Sequence, residues 1–299
     1  MTIEQLNADY GIADQLQFIE GKGGFPIIAI ANSKAKATIS IYGGQVLSFQ
    51  PNGAAEDLLF VSEKAYYQDG KAIKGGAPVC WPWFGPDPED LGRPSHGFMR
   101  NRLWSVLATE TTPPGDTLVK LGLTDTEETR EIWPHNYELS LEVLVGETLT
   151  MSLITKNTSS EIYTITQALH TYFTVGDINA IQVLGLDGAK YIDKVDDMKE
   201  KQQDGAIAIA GEVDRIYATV SDELIIDDPS LSRQIKLLST GSKSAVVWNP
   251  WTEKAAKMGD LDDREYLKFV CVETTNAGDD IVEIAPGSEY QLTVTIATI

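Results

Sequence analysis

The chain has 299 residues, 42% of them hydrophobic and 25 of them glycine, which is enough apolar material for a sizeable core with many turns and fits one large all-β domain. Forty-four acidic against 24 basic side chains leave a formal charge of −20, which argues against nucleic acid or an anionic membrane surface as the main partner. An anionic ligand would need a local basic pocket built against the protein's own field.

In chain order, residues 2–10 predict a short amphipathic helix with Thr2 as N-cap, and residues 1–24 as a whole form a helix and lead-in ahead of a single domain over 25–299. From Phe25 onward the dominant signal is period-two alternation in short runs bounded by glycine, proline, asparagine or aspartate. Strands are expected over Ala37 to Tyr42, Leu118 to Leu123, Glu161 to Leu169, Ala245 to Trp248, Leu267 to Val272 and Tyr290 to Ile296. Tyr137 to Val145 alternates apolar with polar, breaks at Gly146-Glu147 and restarts at Leu149, which predicts a hairpin. So many strands and so little helical periodicity predict an all-β, mostly antiparallel sandwich with a few short helices. No basic, hydrophobic signal opens the chain and no apolar run approaches about 18 residues, so a cytoplasmic protein is expected. The two cysteines, Cys80 and Cys271, sit in apolar runs and are expected as buried reduced thiols.

Two residues stand out for chemistry. His170 ends an apolar run and is followed by aromatics, and Glu273 closes an otherwise hydrophobic strand. A histidine titrates near neutral pH, and burial raises a carboxyl pKa, so the two form a candidate proton-transfer pair. Two segments break the strand pattern, residues 62–102 and Lys199 to Tyr217, and long loops often carry function. In the first, Trp81-Pro-Trp-Phe-Gly-Pro is either a rigid wall for stacking on a sugar or packed loop core. Lys74-Gly75-Gly76 joins a cation to a backbone able to approach an anion closely. Ser95-His96-Gly-Phe-Met-Arg100-Asn101 packs a hydroxyl, an imidazole, a guanidinium and an amide into seven residues, a density suited to a polar or phosphorylated ligand. Lys71, Lys74, Arg100 and Arg102 make a local basic cluster, and His135, after a turn-forming proline, is expected to be structural. The histidines lie 39 and 35 residues apart, with no His-x-His or His-Glu-x-x-His spacing, so no metal is expected. Nucleotide-binding loops and a Gly-x-Ser-x-Gly elbow are absent too, which leaves cofactor-free acid–base chemistry on a small polar molecule.

Taken in order, these motifs resemble those of the glucose-6-phosphate 1-epimerases, a branch of the aldose 1-epimerase family. The carriers are Gly43 to Ser48, Lys74 to Gly85, His96 to Asn101, Ala168 to Phe173, Gly185 to Lys194, Asp214 to Tyr217, Val247 to Pro250 and Val272-Glu273. The resemblance implies a galactose mutarotase-like β-supersandwich with the site across its concave sheet. It implies that His170 is the general acid and Glu273 the general base, that Arg100 lies on the phosphate side, that Asp214 holds a sugar hydroxyl and that His96 sits beside the ring. Lys74 stands where the motif usually has arginine and Ser95 where it often has glutamine; both are expected to line the substrate site. The implied partner is a small sugar phosphate, with no cofactor, and a monomer is expected. Mutarotation of unphosphorylated aldoses and a non-catalytic carbohydrate-binding role are the alternatives.

Overall fold

The computed structural model describes every residue except Pro114. Two large sheets dominate, and all their strand pairs are antiparallel. The nine-stranded sheet runs in space Ile207–Ala208, Gln182–Leu184, Glu223–Asp228, Arg233–Thr240, Glu289–Thr298, Leu149–Asn157, Tyr137–Val145, Thr117–Thr124 and Ser105–Thr111. The eight-stranded sheet runs Lys199–Gln202, Lys190–Asp193, Val213–Ala218, Ser244–Asn249, Phe269–Asn276, Gln167–Leu169 and Val79–Cys80, with Tyr172–Thr174 also paired to Phe269–Asn276. Among the described residues the α-helices are short: Ile3–Tyr10, Glu127–Ile132 and Trp251–Ala255. None is long and apolar enough to cross a membrane.

The inner faces of the two sheets share one core. Leu141, Leu153, Leu237, Leu292 and Val294 of the nine-stranded sheet belong to the same buried cluster as Leu169, Tyr217, Val247, Val270 and Val272 of the eight-stranded sheet. The second sheet is also covered on its other face, where Phe269, Cys271, Val246, Trp248 and Tyr172 form a separate buried cluster. Successive side chains of a strand point to opposite faces. Phe269–Asn276 is therefore buried at all eight positions, with Val270 and Val272 feeding the central core and Phe269, Cys271 and Glu273 the other face.

The hairpin over residues 137–157 forms as its alternation predicts, and Thr2 caps the first helix in a capping box with Gln5. Elsewhere the boundaries move. The lead-in contains a strand, Leu16–Glu20, paired with Pro26–Ala31 in a four-stranded sheet. The run from Glu161 divides into Tyr163–Ile165 and Gln167–Leu169, which join different sheets. Glu273 does not close its strand, because Thr274, Thr275 and Asn276 continue it against Gln167–Leu169, and the Gln167 amide donates to Asn276 Oδ1 at 3.0 Å. Lys199 to Tyr217 is not one long loop but three short strands. Its first strand lies at a sheet edge with both faces wet, so charges replace apolar alternation, and Lys190–Glu200 and Lys201–Asp193 pair across the neighbouring strands.

Within residues 62–102 one expectation changes and one open alternative is resolved. Gly75 and Gly76, both at positive φ, bring backbone against backbone: a Cβ would lie 2.4 Å from Phe60 O and 2.2 Å from Val46 O respectively. Their freedom thus serves chain packing that fixes Lys74, rather than approach to an anion. Trp81 is fully buried, in contact with Phe98, Trp133 and Tyr137, and its indole N–H donates to Thr155 Oγ1 at 2.9 Å. It is core and not ligand wall. Trp81→Ala should therefore lower unfolding free energy by about 3–5 kcal/mol in denaturant titration, whereas a loss below about 1 kcal/mol would place the indole outside the core.

Candidate active site

Strand alternation and register build the site on the outer face of the eight-stranded sheet. Asp214 lies opposite Trp248, Trp248 opposite Cys271, and Cys271 opposite Tyr172, a row across four strands. In the next row Val246 lies opposite Glu273. Gln167–Leu169 pairs with residues 274–276 and Tyr172–Thr174 with residues 269–271. The break between them leaves His170 and Thr171 beside Val272 and Glu273. That break delivers the imidazole to the carboxyl: His170 Nε2 lies 3.3 Å from Glu273 Oε1.

The seven residues singled out in the sequence, Lys74, Ser95, His96, Arg100, His170, Asp214 and Glu273, line one pocket of about 300 Å³. The basic cluster does not survive intact. Arg102 pairs with Glu128 at 2.9 Å outside the pocket, and Lys71 is exposed on its loop. Arg93 also lies outside, paired with Asp87 and stacked on Trp83. His135 packs against Trp133 and Tyr163, away from the pocket.

Sequence reasoning missed several lining residues. Trp248 and Tyr172 form the floor around His170, whose ring is stacked 5.0 Å from Tyr172 and edge-on 6.0 Å from Trp248. Their parity with Asp214 and Glu273 along paired strands is the signal that could have found them. Phe84, alone of its aromatic run, reaches the pocket. Lys194 and Lys254 flank Asp214, with ammonium groups 3.1 and 3.7 Å from its carboxylate oxygens. Lys254 comes from the Trp251–Ala255 helix and Met258 from the segment just after it, and no motif announces them.

The pocket thus gathers four cations, Lys74, Arg100, Lys194 and Lys254, with two carboxyl groups, Asp214 and Glu273. Lys74 is 3.4 Å from Asp260, and Lys254 is 2.9 Å from Glu212. Arg100 has no carboxylate partner among the described residues; one end donates to Ser95 O at 2.9 Å and its buried Nε bonds to nothing in the protein. The exposed Ser95 therefore serves Arg100 through its backbone carbonyl.

Burial sets the protonation of the central groups. It pushes the Glu273 carboxyl well above its ordinary 4.5, reinforced by the Asp214 carboxylate and opposed by Lys194 and Arg100. It pushes His170 well below 6.5, with His96, Arg100 and Lys74 adding to the effect. His170 Nδ1 and Glu273 Oε2 are buried without protein partners, an arrangement expected where a ligand supplies the missing bonds. His96 is held at φ +64° by its N–H to Gly85 O bond of 2.7 Å. Its Nδ1 accepts from the Gly85 N–H at 3.3 Å, so Nε2 carries the proton. Burial and the neighbouring Arg100, Lys194 and Lys74 push its pKa down to about 3, so at neutral pH it is an uncharged donor, 5.7 Å ring to ring from His170.

The aldose 1-epimerase family profile matches residues 26–297. Curated relatives provisionally named glucose-6-phosphate 1-epimerase include a protein of Escherichia coli, 39% identical over 85% of this chain and 84% of its own, and one of Cenchrus ciliaris, 36% identical over 88% and 81%. A crystal structure from Salmonella typhimurium, provisionally titled a mutarotase, superposes with a TM-score of 0.90 at 32% identity, covering 99% of this chain and 98% of that one. A galactose mutarotase related enzyme of Lactobacillus acidophilus, at 17% identity and a TM-score of 0.72, shares the fold over 91% of this chain and 96% of its own. By profile, relatives and architecture together, the chain is an isomerase fold of the mutarotase type and belongs to the aldose 1-epimerase family.

Proposed function

We propose that this pocket interconverts the α and β anomers of a hexose 6-phosphate, glucose 6-phosphate first among them, with His170 and Glu273 moving the protons. The observation that carries the proposal is a buried imidazole–carboxyl pair in one small pocket with Arg100, a guanidinium without a carboxylate partner among the described residues. Family membership supplies the reaction class. The cations, gathered in a chain of net charge −20, argue for an anionic substrate, and the names of the E. coli and C. ciliaris relatives point to the same ester. A volume of about 300 Å³ lies at the small end of ligand pockets and suits one sugar ring.

The chemistry follows from one proton held by the pair. Glu273 as carboxylate takes the proton of the anomeric hydroxyl while imidazolium His170 gives one to the ring oxygen. The C1–O5 bond breaks and C1 becomes an aldehyde. Rotation about C1–C2 presents the other face, and closure with the roles reversed yields the other anomer. Ring opening converts the ion pair into neutral imidazole and carboxylic acid. Burial favours that neutral arrangement over the ion pair from which opening starts. Asp214, braced by Lys194 and Lys254, offers a carboxylate to a sugar hydroxyl, and neutral His96 offers an N–H beside the ring. Phosphate falls to Arg100, whose fork can bind two of its oxygens, and to Lys74 as a point charge. The candidate catalytic and binding residues of the pocket all come from one chain, which supports our reading of a working monomer. A cytoplasmic setting suits the two buried free thiols, Cys80 and Cys271.

Removing either proton carrier should be costly. Glu273→Gln and His170→Ala are each expected to lose at least about 100-fold in enzyme-dependent anomer exchange, measured by exchange NMR, and near wild-type turnover in both contradicts the assignment. Arg100→Ala should raise KM for the phosphate ester about 10-fold or more, equivalent to one charge-assisted bond, with a smaller change in kcat. An equal effect on unphosphorylated glucose would remove Arg100 from the phosphate.

The same pair makes a stability prediction whose sign is fixed by linkage. Because the folded pKa of Glu273 lies above its unfolded value near 4.5, unfolding releases a proton once pH exceeds that value, and folding is progressively penalised up to the folded pKa. Glu273→Gln removes this penalty. Its Tm relative to wild type should rise as pH increases above about 4.5, and a difference that falls with pH would show that the carboxyl is not destabilised by burial.

A further inference from the structure

His170 and Glu273 have a third neighbour that the proton-transfer scheme leaves unused. Cys271 lies two residues before Glu273 on the same face of Phe269–Asn276, fully buried and free. One ligand atom each from His170, Cys271 and Glu273 lie within 4.8 Å of one another. Spacing along the chain does not announce this group, because the imidazole comes from a different strand segment. A second observation points to a ligand on these side chains: His170 Nδ1 and Glu273 Oε2 are buried and make no hydrogen bond within the protein. His170 is 8% exposed and Glu273 1%.

We propose that His170, Cys271 and Glu273 form a binding site for a thiophilic divalent cation of the zinc and cadmium class, and that its occupation shuts off the proton-transfer pair. Imidazole nitrogen, thiolate sulfur and carboxylate oxygen are the ordinary zinc donors, with bonds of about 2.0–2.3 Å. Tetrahedral geometry at those lengths separates donors by about 3.3–3.8 Å, so a pair at the 4.8 Å limit must contract by about 1.0–1.5 Å, within reach of side-chain rotation. On binding, the Cys271 thiol loses its proton and the His–Glu pair releases the one it shares, both to solvent. Thiolate and carboxylate then balance the two charges of the ion, and no oxidant or reductant is involved. His170 and Glu273 line the pocket, so an entering ion reaches the group from that side. Lys74, Arg100 and Lys194 lie close enough to oppose a cation there, so affinity has to come from sulfur. Hard cations such as magnesium gain little from a thiolate and should be excluded.

The inhibitory half of this proposal rests on His170 and Glu273 acting as the proton carriers; the binding half does not, and the test separates the two. Purified full-length protein is loaded with Co²⁺ as a spectroscopic stand-in for zinc and, separately, assayed for anomer exchange against zinc chloride and magnesium chloride. The expected result is a thiolate-to-cobalt charge-transfer band in the near ultraviolet that is present in wild type and in Cys80→Ala and absent from Cys271→Ala. In the assay, zinc should inhibit wild type competitively with the sugar phosphate, and its half-inhibitory concentration should rise at least about tenfold in Cys271→Ala, with magnesium inert. Cys271→Ser serves if the alanine variant does not fold. Absence of the band from wild type, its persistence in Cys271→Ala, or equal zinc sensitivity of both proteins would overturn the site. A Cys271-dependent band in a protein without mutarotase activity would establish the site and overturn the proposed reaction instead.

Discussion

The architecture depends on one constraint, the two-residue alternation of strands that are buried on both faces. In Phe269–Asn276, Val270 and Val272 join the core between the sheets, while Cys271 and Glu273 turn the other way. Ser244–Asn249 repeats the division, with Ala245 and Val247 inward and Val246 and Trp248 on the pocket side, and Val213–Ala218 places Val213 and Tyr217 inward and Asp214 outward. A one-residue slip in any of these strands would exchange core and site. The hydrophobic packing that holds the sheets together is therefore also what fixes the register of the polar groups, and the pocket floor is as rigid as the core behind it.

Electrostatics works against stability at the same place. An imidazole and a carboxyl are taken out of water at a distance of 3.3 Å, each with one polar atom left without a protein partner. Unpaired buried polar groups are destabilising, and they persist where a function requires them. The surrounding cations relieve part of this burden at Glu273 and deepen it at His170, since Arg100 favours ionisation of the one and opposes protonation of the other. The result is a pair whose neutral arrangement burial favours over the ionic one. In a chain carrying twenty excess negative charges, such a concentration of lysine and arginine in one cleft also focuses the field on an approaching anion.

How much of this could be read from the sequence depended on what each strand faces. Tyr137–Val145 and Leu149–Asn157 keep one face partly wet, so alternation and a Gly-Glu turn were enough to define a hairpin. The central strands of the eight-stranded sheet, Ser244–Asn249 and Phe269–Asn276, are covered on both faces and read as largely apolar runs, in which only a polar intruder marks the functional side. His170 and Glu273 were visible as such intruders, but Glu273 looked like a strand end because the polar Thr274-Thr275-Asn276 hides a continuing ladder. Trp248 and Tyr172 were not distinguishable from core, since cores and sugar pockets both use aromatics, and Trp81 shows the ambiguity from the other side. Lys254 and Met258 reach the pocket from a five-residue helix and the segment just after it, where position is decided by tertiary packing and no local pattern records it.

The account stands or falls on whether the cationic pocket is matched to a phosphate ester. The most direct measurement follows anomer exchange in glucose 6-phosphate and in glucose side by side by magnetisation-transfer NMR, with the same enzyme concentration and the spontaneous rate of each sugar subtracted. The account predicts strong acceleration of the phosphate ester, little acceleration of glucose, and suppression of the former by inorganic phosphate or sulfate. Acceleration of glucose alone, or of both sugars equally and without sensitivity to either anion, would contradict it.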